Sequence, residues 1–243
     1  EKKKPKPDEI RVAGIHGWLG PSYSRAGLLD KALECHQKVL AIQLEQHSLD
    51  YRAVVQIYNV IAKIHIKKED DEQLLLNYRE VLNFQLKQLD SDHPDVVQSY
   101  NKIAKECDNK GEYDQALENY YKVLAIQAEQ QGSDHPLVAQ SYNRIGRAHH
   151  NKSDYDRALE LYQKALAIRL KKYGEDHVEV AISYSNIGRG CLLKGEYDQA
   201  LEYYQKSLAI CVKQLGVNHS EVALSYNNIG AVYGEKGEND KAL

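Results

Sequence analysis

Apolar residues recur along the chain at steps of three and four positions, the spacing that places side chains on one face of an α-helix. A first stretch carries this pattern at Val96, Val97, Tyr100, Ile103, Ala104 and Cys107. A second stretch, almost entirely apolar, carries it at Tyr113, Ala116, Leu117, Tyr120, Leu124 and Gln127. No segment shows the strict alternation that is typical of a β-strand. The pattern therefore predicts an all-α protein built from amphipathic helices.

The pair of stretches repeats every 42 residues without an insertion. The segment Gly111-Glu-Tyr-Asp-Gln-Ala-Leu-Glu returns with few changes from Ser153 and from Gly195. Weaker copies begin at Gly27, Glu69 and Gly237. A fixed period of this length indicates a stack of one supersecondary unit, in which each copy buries its apolar face on its neighbours. Function is then expected on a shared surface rather than in one cleft.

Turn residues mark where the predicted helices begin and end. Asn109-Lys110-Gly111 ends the first helix, because glycine accepts the left-handed conformation that closes a helix. Asp134-His135-Pro136 opens the next repeat, and we expect Asp134 to cap the helix while Pro136 occupies its first turn. The same start recurs at residues 92–94, 176–178 and 218–220.

Composition narrows the class of protein. The 243 residues include 42% hydrophobic and 28% charged ones, and no apolar run approaches the roughly 20 residues that cross a bilayer. The net charge of −3 argues against nucleic acid and against an anionic membrane as partners. The four cysteines form no CxxC pair, so we expect small core side chains in a reducing, cytoplasmic compartment. The chain has no Met and stops at Leu243 in mid-repeat, so we expect a fragment.

One set of residues carries a family resemblance. These are Tyr226, Ile229, Gly230, Tyr233, Gly237 and Ala242. Their spacing resembles the tetratricopeptide repeat, with a second helix extended by about two turns through residues 125–131. The longer unit, with its segments 132–139 and 226–230, is similar to the repeats of kinesin light chains. The resemblance implies a right-handed superhelical solenoid of antiparallel helix pairs.

Three regions are predicted. Residues 1–8 are expected to be a disordered basic tail, and residues 9–49 a degenerate first repeat that forms an irregular N-terminal cap. Helix-weakening residues in that cap are Gly14, Gly17 and Pro21. We expect Trp18 to cover part of the end of the stack. Residues 50–243 are predicted to form the repeat array, with the last repeat truncated.

No catalytic, metal or cofactor site is predicted. One histidine per repeat (His93, His135, His177, His219) is too far from the next for shared metal binding, so packing or capping at helix starts is expected. No nucleophile elbow or zinc-helix signature occurs. The 18 tyrosines suggest a stacking surface for single-stranded nucleic acid as one alternative, but most lie on the apolar faces and favour core packing.

A basic strip is the main functional candidate. Its members come from the positions one, two and five residues after the repeated tyrosine of each first helix. These fifteen positions hold six cations, six asparagines and no acid. Its members are Asn59, Lys63, Asn101, Lys102, Lys105, Asn143, Arg144, Arg147, Asn186, Arg189, Asn227 and Asn228. Acidic residues lie instead on the second helices, at Asp114, Glu118, Asp156, Glu160, Asp198 and Glu202. Asparagine amides bind an extended peptide backbone, and Arg and Lys pair with carboxylates.

The resemblance also implies where a ligand binds and what kind of ligand it is. In the tetratricopeptide fold the first helices line the concave side, and kinesin light chains bind short acidic peptides there. We therefore expect a non-catalytic module that binds an acidic or carboxylate-bearing segment of a partner protein between Lys63 and Arg189. Alternatives are a regulatory or sensor array of a larger protein with its catalytic domain elsewhere, a self-associating array whose groove is filled by other segments of the chain, RNA binding, and a merely solvated surface.

Overall fold

The computed structural model describes residues 7–45, 50–238 and 240. Over this part of the chain it contains eleven α-helices and no strand, in agreement with the apolar pattern. The helices are α1 (Pro7–Arg25), α2 (Leu29–Glu45), α3 (Tyr51–Lys67), α4 (Asp71–Leu86), α5 (Pro94–Asn109), α6 (Tyr113–Gln131), α7 (Pro136–Asn151), α8 (Tyr155–Tyr173), α9 (Val178–Leu193), α10 (Tyr197–Leu215) and α11 (Ser220–Glu235). The chain divides into two compact units, Glu1–Glu106 and Cys107–Leu243, with the boundary inside the last turn of α5.

Unit 1 buries an aliphatic and aromatic core between α2, α3 and α4. Its centre consists of Leu40, Val54, Tyr58, Ile61, Val81 and Phe84. The ring of Phe84 stacks on that of Tyr51, with 5.8 Å between centroids. These residues lie on the faces that the three- and four-residue steps define, so burial of those faces holds the unit together.

Unit 2 stacks its helices in chain order, each against the next. The second helices contribute Tyr120, Tyr162 and Tyr204, all almost fully buried, which confirms core packing for this set of tyrosines. Glycines on the facing first helices make room for the rings. A Cβ at Gly146 would lie 2.7 Å from the Tyr162 ring, and one at Gly188 3.0 Å from the Tyr204 ring. At both places a glycine of a first helix thus lies against a tyrosine of the second helix that follows it.

Helix lengths agree with the predicted extension of the second helix. In unit 2 the second helices α6, α8 and α10 have 19 residues each, whereas the first helices α7, α9 and α11 have 16. Each long helix ends at a glycine with positive φ, namely Gly132, Gly174 and Gly216.

Histidine, and not the predicted aspartate, caps α5, α7, α9 and α11, whereas Asp50 caps α3. The Nδ1 atom of His135 accepts a hydrogen bond from the Leu137 amide at 3.2 Å. The same bond is made by His93, His177 and His219. Asp134 instead forms an ion pair with Lys171 of α8. The cap moves one residue because an imidazole reaches the amide two positions ahead, which leaves the carboxylate free to pair with a neighbouring helix.

The turns inside the helix pairs use a left-handed residue, as predicted for Gly111. Gly111 and Gly195 both have φ of 78°. Ser153 occupies the same place with φ of 65°, and Glu69 with φ of 54°. A side chain in this region is strained. Next to Ser153, Asp154 contacts Nδ1 of the buried His149 at 3.2 Å, and this contact stabilises the turn.

The N-terminal region differs from its prediction. Helix α1 runs continuously through Gly14, Gly17 and Pro21, so the expected irregular cap is wrong for these residues. Trp18 is 83% exposed and does not cover the stack. Of the predicted disordered tail, residues 1–6 lie outside the described part, while residues 7 and 8 belong to α1. Residues 239 and 241–243 of the last repeat also lie outside it.

The cysteines are core side chains. Cys35, Cys107, Cys191 and Cys211 are buried, and none of the four forms a disulfide. Over the described residues no group of three potential ligands is placed to hold a metal ion. Within the same ranges, no helix combines the length and apolar character that a membrane crossing requires.

Candidate peptide-binding groove

In unit 1, the basic strip is partly engaged in internal contacts. The Nζ atom of Lys102 donates to Asn59 Oδ1 at 3.2 Å and lies 5.6 Å from the centroid of the Tyr78 ring. Burial lowers the pKa of Lys102 from its ordinary value. Asn101 donates to the Val97 carbonyl of its own helix at 3.1 Å. Lys63 and Lys105 are exposed, as the sequence predicts.

In unit 2, one arginine of the basic strip already has an acidic partner. The Nη2 atom of Arg147 lies 3.4 Å from Asp108 Oδ2. Only 4% of the Asp108 side chain is exposed, and its other oxygen accepts from Asn151 Nδ2 at 2.9 Å. The strip positions themselves hold no acid, and Asp108 was not predicted as a partner because it lies on a neighbouring helix. Arg147 is therefore neutralised by the protein itself.

Arg189 occupies the same place one repeat later but has a different neighbour. The position equivalent to Asp108 is held by His150. Burial, and to a smaller extent the charge of Arg189, lowers the pKa of His150 to about 4, so its ring is neutral at physiological pH. The Nε atom of Arg189 is buried and makes no hydrogen bond. Throughout the described residues, no carboxylate lies within ion-pair distance of Arg189.

Arg189 lines a cavity of about 250 Å³ between α9, α10 and α11. Two asparagines of the basic strip, Asn186 and Asn228, lie on its wall, while Asn227 is exposed outside it. The wall also includes Ile182 and Leu224, whose side chains are 40% and 51% exposed. Cation, amides and exposed apolar side chains thus meet at one place in unit 2.

Two members of the basic strip are less accessible than predicted. Asn143 lies against Arg169 of α8, a buried residue that is 6% exposed. With the amide oriented so that its oxygen faces the guanidinium, Asn143 accepts from Arg169 Nη1 and Nη2 at 2.6 and 2.9 Å. Arg144 is half-buried close to Tyr120, and burial lowers its pKa. Asn143 and Arg144 are therefore partly engaged in contacts within the protein.

The acidic residues of the second helices are paired with lysines. Glu118, Glu160 and Glu202 each bond a lysine four residues later on their own helix at 2.6 Å. Asp114, Asp156 and Asp198 each pair with a lysine at the end of a following first helix. These acids of the second helices therefore have local counter-charges, whereas Arg189 has none.

These features define an all-α protein built from repeated helix pairs. The family is shown by sequence: the tetratricopeptide repeat profile matches residues 107–171, 141–211 and 179–243, which together cover more than half of the chain. The chain belongs to the tetratricopeptide repeat family, and the predicted fold class is confirmed. No curated protein matches the sequence.

Solved structures agree with this assignment. A putative kinesin light chain of Podosopora anserina with nearly identical TPR-like repeats is 24% identical, with a TM-score of 0.65, over 77% of this chain and 89% of that one. BtubC (BKLC) from P. vanneervenii is 25% identical, with a TM-score of 0.67, over 88% and 86%. A signal transduction ATPase of Pyrococcus horikoshii with a tetratricopeptide repeat sensor is 17% identical, with a TM-score of 0.67, over 98% of this chain and 36% of that one. The kinesin-light-chain-like resemblance is thereby confirmed at the level of the fold.

Proposed function

We propose that unit 2 binds an acidic or carboxylate-bearing peptide of a partner protein, with the carboxylate on Arg189. Tetratricopeptide repeats mediate protein–protein interactions, and this proposal specifies the chemistry of the partner. Asn186 and Asn228 are assigned to the peptide backbone, and Ile182 and Leu224 to an apolar side chain. The remaining members of the basic strip are proposed to extend the surface within their own units.

The single observation that supports this assignment is the contrast between Arg147 and Arg189. Arg147 is paired with Asp108 at 3.4 Å, while Arg189 faces the neutral ring of His150. A partly buried guanidinium without an anion is poorly solvated and gains from a charge-assisted, bidentate bond to a carboxylate. A ligand acid supplies at Arg189 what Asp108 supplies at Arg147.

Charge alone does not give useful affinity. An exposed ion pair contributes about 0.2–1 kcal/mol, so several such pairs would still give weak binding. Binding energy in protein interfaces concentrates where an apolar anchor excludes water from a polar contact. Ile182 and Leu224 provide such an anchor beside Arg189, which favours a peptide with a large apolar residue near its acid.

The test uses fluorescein-labelled peptides in which Asp or Glu flanks a leucine, measured by fluorescence anisotropy. Arg189→Gln should raise Kd at least tenfold without changing helicity, because it removes the charge and keeps most of the side-chain length. Lys171→Gln is the matched control, since Lys171 is an exposed cation of α8 that is already paired with Asp134. Equal affinity in wild type and Arg189→Gln would show that Arg189 does not hold the acid.

The sensor alternative remains compatible with the same groove. It is favoured only by the likeness to the repeat sensor of the P. horikoshii protein, which extends to the fold alone. The two functions differ in what the bound peptide belongs to. A partner protein supplies it in the first case, and another segment of the same polypeptide does so in the second. Competition between the labelled peptide and the full-length polypeptide's own flanking segments would identify the second case.

A further inference from the structure

One position of the second helices carries a polar side chain that bonds a serine of the following first helix. In unit 1, Gln85 accepts from Ser99 Oγ at 2.6 Å. In unit 2, Gln127 accepts from Ser141 Oγ at 2.7 Å, and Arg169 donates to Ser183 Oγ at 2.8 Å. One repeat later the position is held by Cys211, whose side chain is much shorter.

The contacts of Arg169 show how this place accommodates a guanidinium. Its Nη2 atom lies 2.9 Å from Glu179 Oε2, and its Nη1 atom donates to the Glu179 carbonyl at 3.2 Å. The hydroxyl of Ser183 and the amide oxygen of Asn143 complete the set. Four groups from two first helices therefore surround one buried cation.

The residues 42 positions further along the chain line the cavity between α9, α10 and α11. Glu221 stands where Glu179 stands, Ser225 corresponds to Ser183, and Ser185 corresponds to Asn143. Cys211 forms the floor and leaves the space above it open. The cavity is thus the place that the Arg169 side chain fills in the preceding repeat.

We propose that this cavity binds the guanidinium of an arginine side chain supplied by the partner peptide, paired with the Glu221 carboxylate and bonded to Ser225 and Ser185. The proposal rests on the proposed function and deepens it. A peptide with an arginine close to an acidic residue then fits the groove better than a purely acidic one, because the acid pairs with Arg189 and the arginine with Glu221.

Size and lining agree with this ligand. At about 250 Å³ the cavity is smaller than the roughly 300–1,000 Å³ of sites for drug-sized molecules, and it suits one side chain. Val178, Ile182 and Leu224 provide apolar surface for the aliphatic stem of an arginine. Cys211 itself presents no charge, since burial raises the pKa of its thiol. Glu221 is then the acid available to a cation in this cavity.

The first experiment measures the binding of N-acetyl-L-arginine amide by nuclear magnetic resonance titration. This probe has no carboxylate, so its binding to the cavity does not depend on a carboxylate contact with Arg189. Saturable shifts are expected in α9 and α11, with a Kd at least fivefold lower than for the lysine analogue. The neutral citrulline analogue should show no saturable binding. Equal binding of the arginine and citrulline analogues, or of the arginine and lysine analogues, would overturn the proposal.

Variants of the cavity provide the second test. Cys211→Arg and Cys211→Gln place there the side chains that the chain uses at residues 169 and 127, and each should abolish binding of the arginine probe. Glu221→Gln should weaken binding at least fivefold in a protein of unchanged helicity. Cys211→Ser is the matched control, since it keeps the side chain short and should retain binding. Unchanged affinity in Glu221→Gln and Cys211→Gln would refute the assignment, even if Cys211→Arg does not fold.

The two proposals can fail separately. An arginine-free acidic peptide reports on Arg189, and the carboxylate-free arginine probe reports on the cavity. Binding of the first without the second removes only the arginine site. Binding of the second without the first retains the cavity as an arginine site and removes the acidic-peptide function.

Discussion

The space between α7, α8 and α9 is filled by the protein's own Arg169, whereas the equivalent space between α9, α10 and α11 is open above Cys211. Both places are bordered by a glutamate and a serine on the following first helix, at Glu179 and Ser183 in one and at Glu221 and Ser225 in the other. The difference shows how one substitution on a repeated backbone converts a structural contact into a candidate ligand site.

The same two repeats also differ in the neighbours of an equivalent arginine. Arg147 is balanced by Asp108, and Arg189 is left beside His150. The repeat that contains the open cavity therefore also contains Arg189, the arginine without an acidic partner. Because Arg189 lies on the wall of this cavity, we regard the cavity and the arginine as parts of one surface.

The largest expected effect comes from opening the filled place. Arg169→Cys removes a buried cation and leaves Glu179, Ser183 and Asn143 without their shared partner. Loss of one member of a buried ion pair costs about 3–5 kcal/mol, and we expect about 3 kcal/mol here because Glu179 is partly exposed. Urea denaturation followed by circular dichroism measures the change. Lys164→Ala on the same helix is the control, with an expected loss below about 0.5 kcal/mol.

Arg169→Cys also tests the comparison itself. If Cys211 leaves a guanidinium site by being short, a cysteine at residue 169 should create a second one. The variant is then expected to bind two equivalents of N-acetyl-L-arginine amide where the wild type binds one. A loss of stability together with unchanged stoichiometry would mean that the two places are not equivalent.

A smaller effect is expected from pH. Because the pKa of His150 is about 4 in the folded protein and about 6.5 when the residue is solvated, only the unfolded chain takes up this proton between those values. The contribution of His150 is fully present above pH 6.5 and is lost as the pH falls towards 4. Since the ring is only half-buried, we expect a loss of about 1–2 kcal/mol. Urea midpoints of wild type and His150→Asn at pH 7 and pH 4.5 measure it.

The relevant quantity is the difference between these two proteins, because burial also lowers the pKa of His149, His65 and His36. If His150→Asn and wild type lose the same stability on acidification, His150 remains accessible to protons in the folded protein.

The smallest effect is expected at the turns. Ser153, between α7 and α8, has φ of 65°, where the equivalent turn between α9 and α10 has Gly195. Ser153→Gly should raise stability by about 0.5–1 kcal/mol, since relief of the left-handed strain exceeds the entropy that glycine adds to the unfolded chain. Gly195→Ser should lower it by a similar amount. Thermal melting of both variants gives the comparison, and changes of the same sign would contradict it.

Much of the fold follows from the sequence because the period is free of insertions. Superposing the repeats places Val96, Val138, Val180 and Val222 at one position, and all are almost fully buried. Helix starts were harder to predict. The motif Asp134-His135-Pro136 contains two residues with capping atoms, and only the geometry shows that His135 makes the bond while Asp134 pairs with Lys171.

The candidate site was only partly predictable from the sequence. Reading the exposed positions found Arg189, Asn186 and Asn228, but their cavity depends on Cys211, which lies on a buried face that the sequence treats as core. The available signal was the series Gln85, Gln127, Arg169 and Cys211, in which a polar side chain becomes a thiol. Asp108 was missed for a related reason. Pairing across helices is a property of the packing, and the order of residues along one helix does not contain it.

The histidine caps give the array a spectroscopic use. An imidazole that accepts an amide proton at Nδ1 carries its own proton on Nε2 in the neutral form. The bonds made by His93, His135, His177 and His219 therefore fix one tautomer four times, once at the start of each of α5, α7, α9 and α11. Nitrogen chemical shifts distinguish imidazole tautomers, so each ring reports on the folding of one helix in a chain whose repeated segments otherwise give overlapping signals.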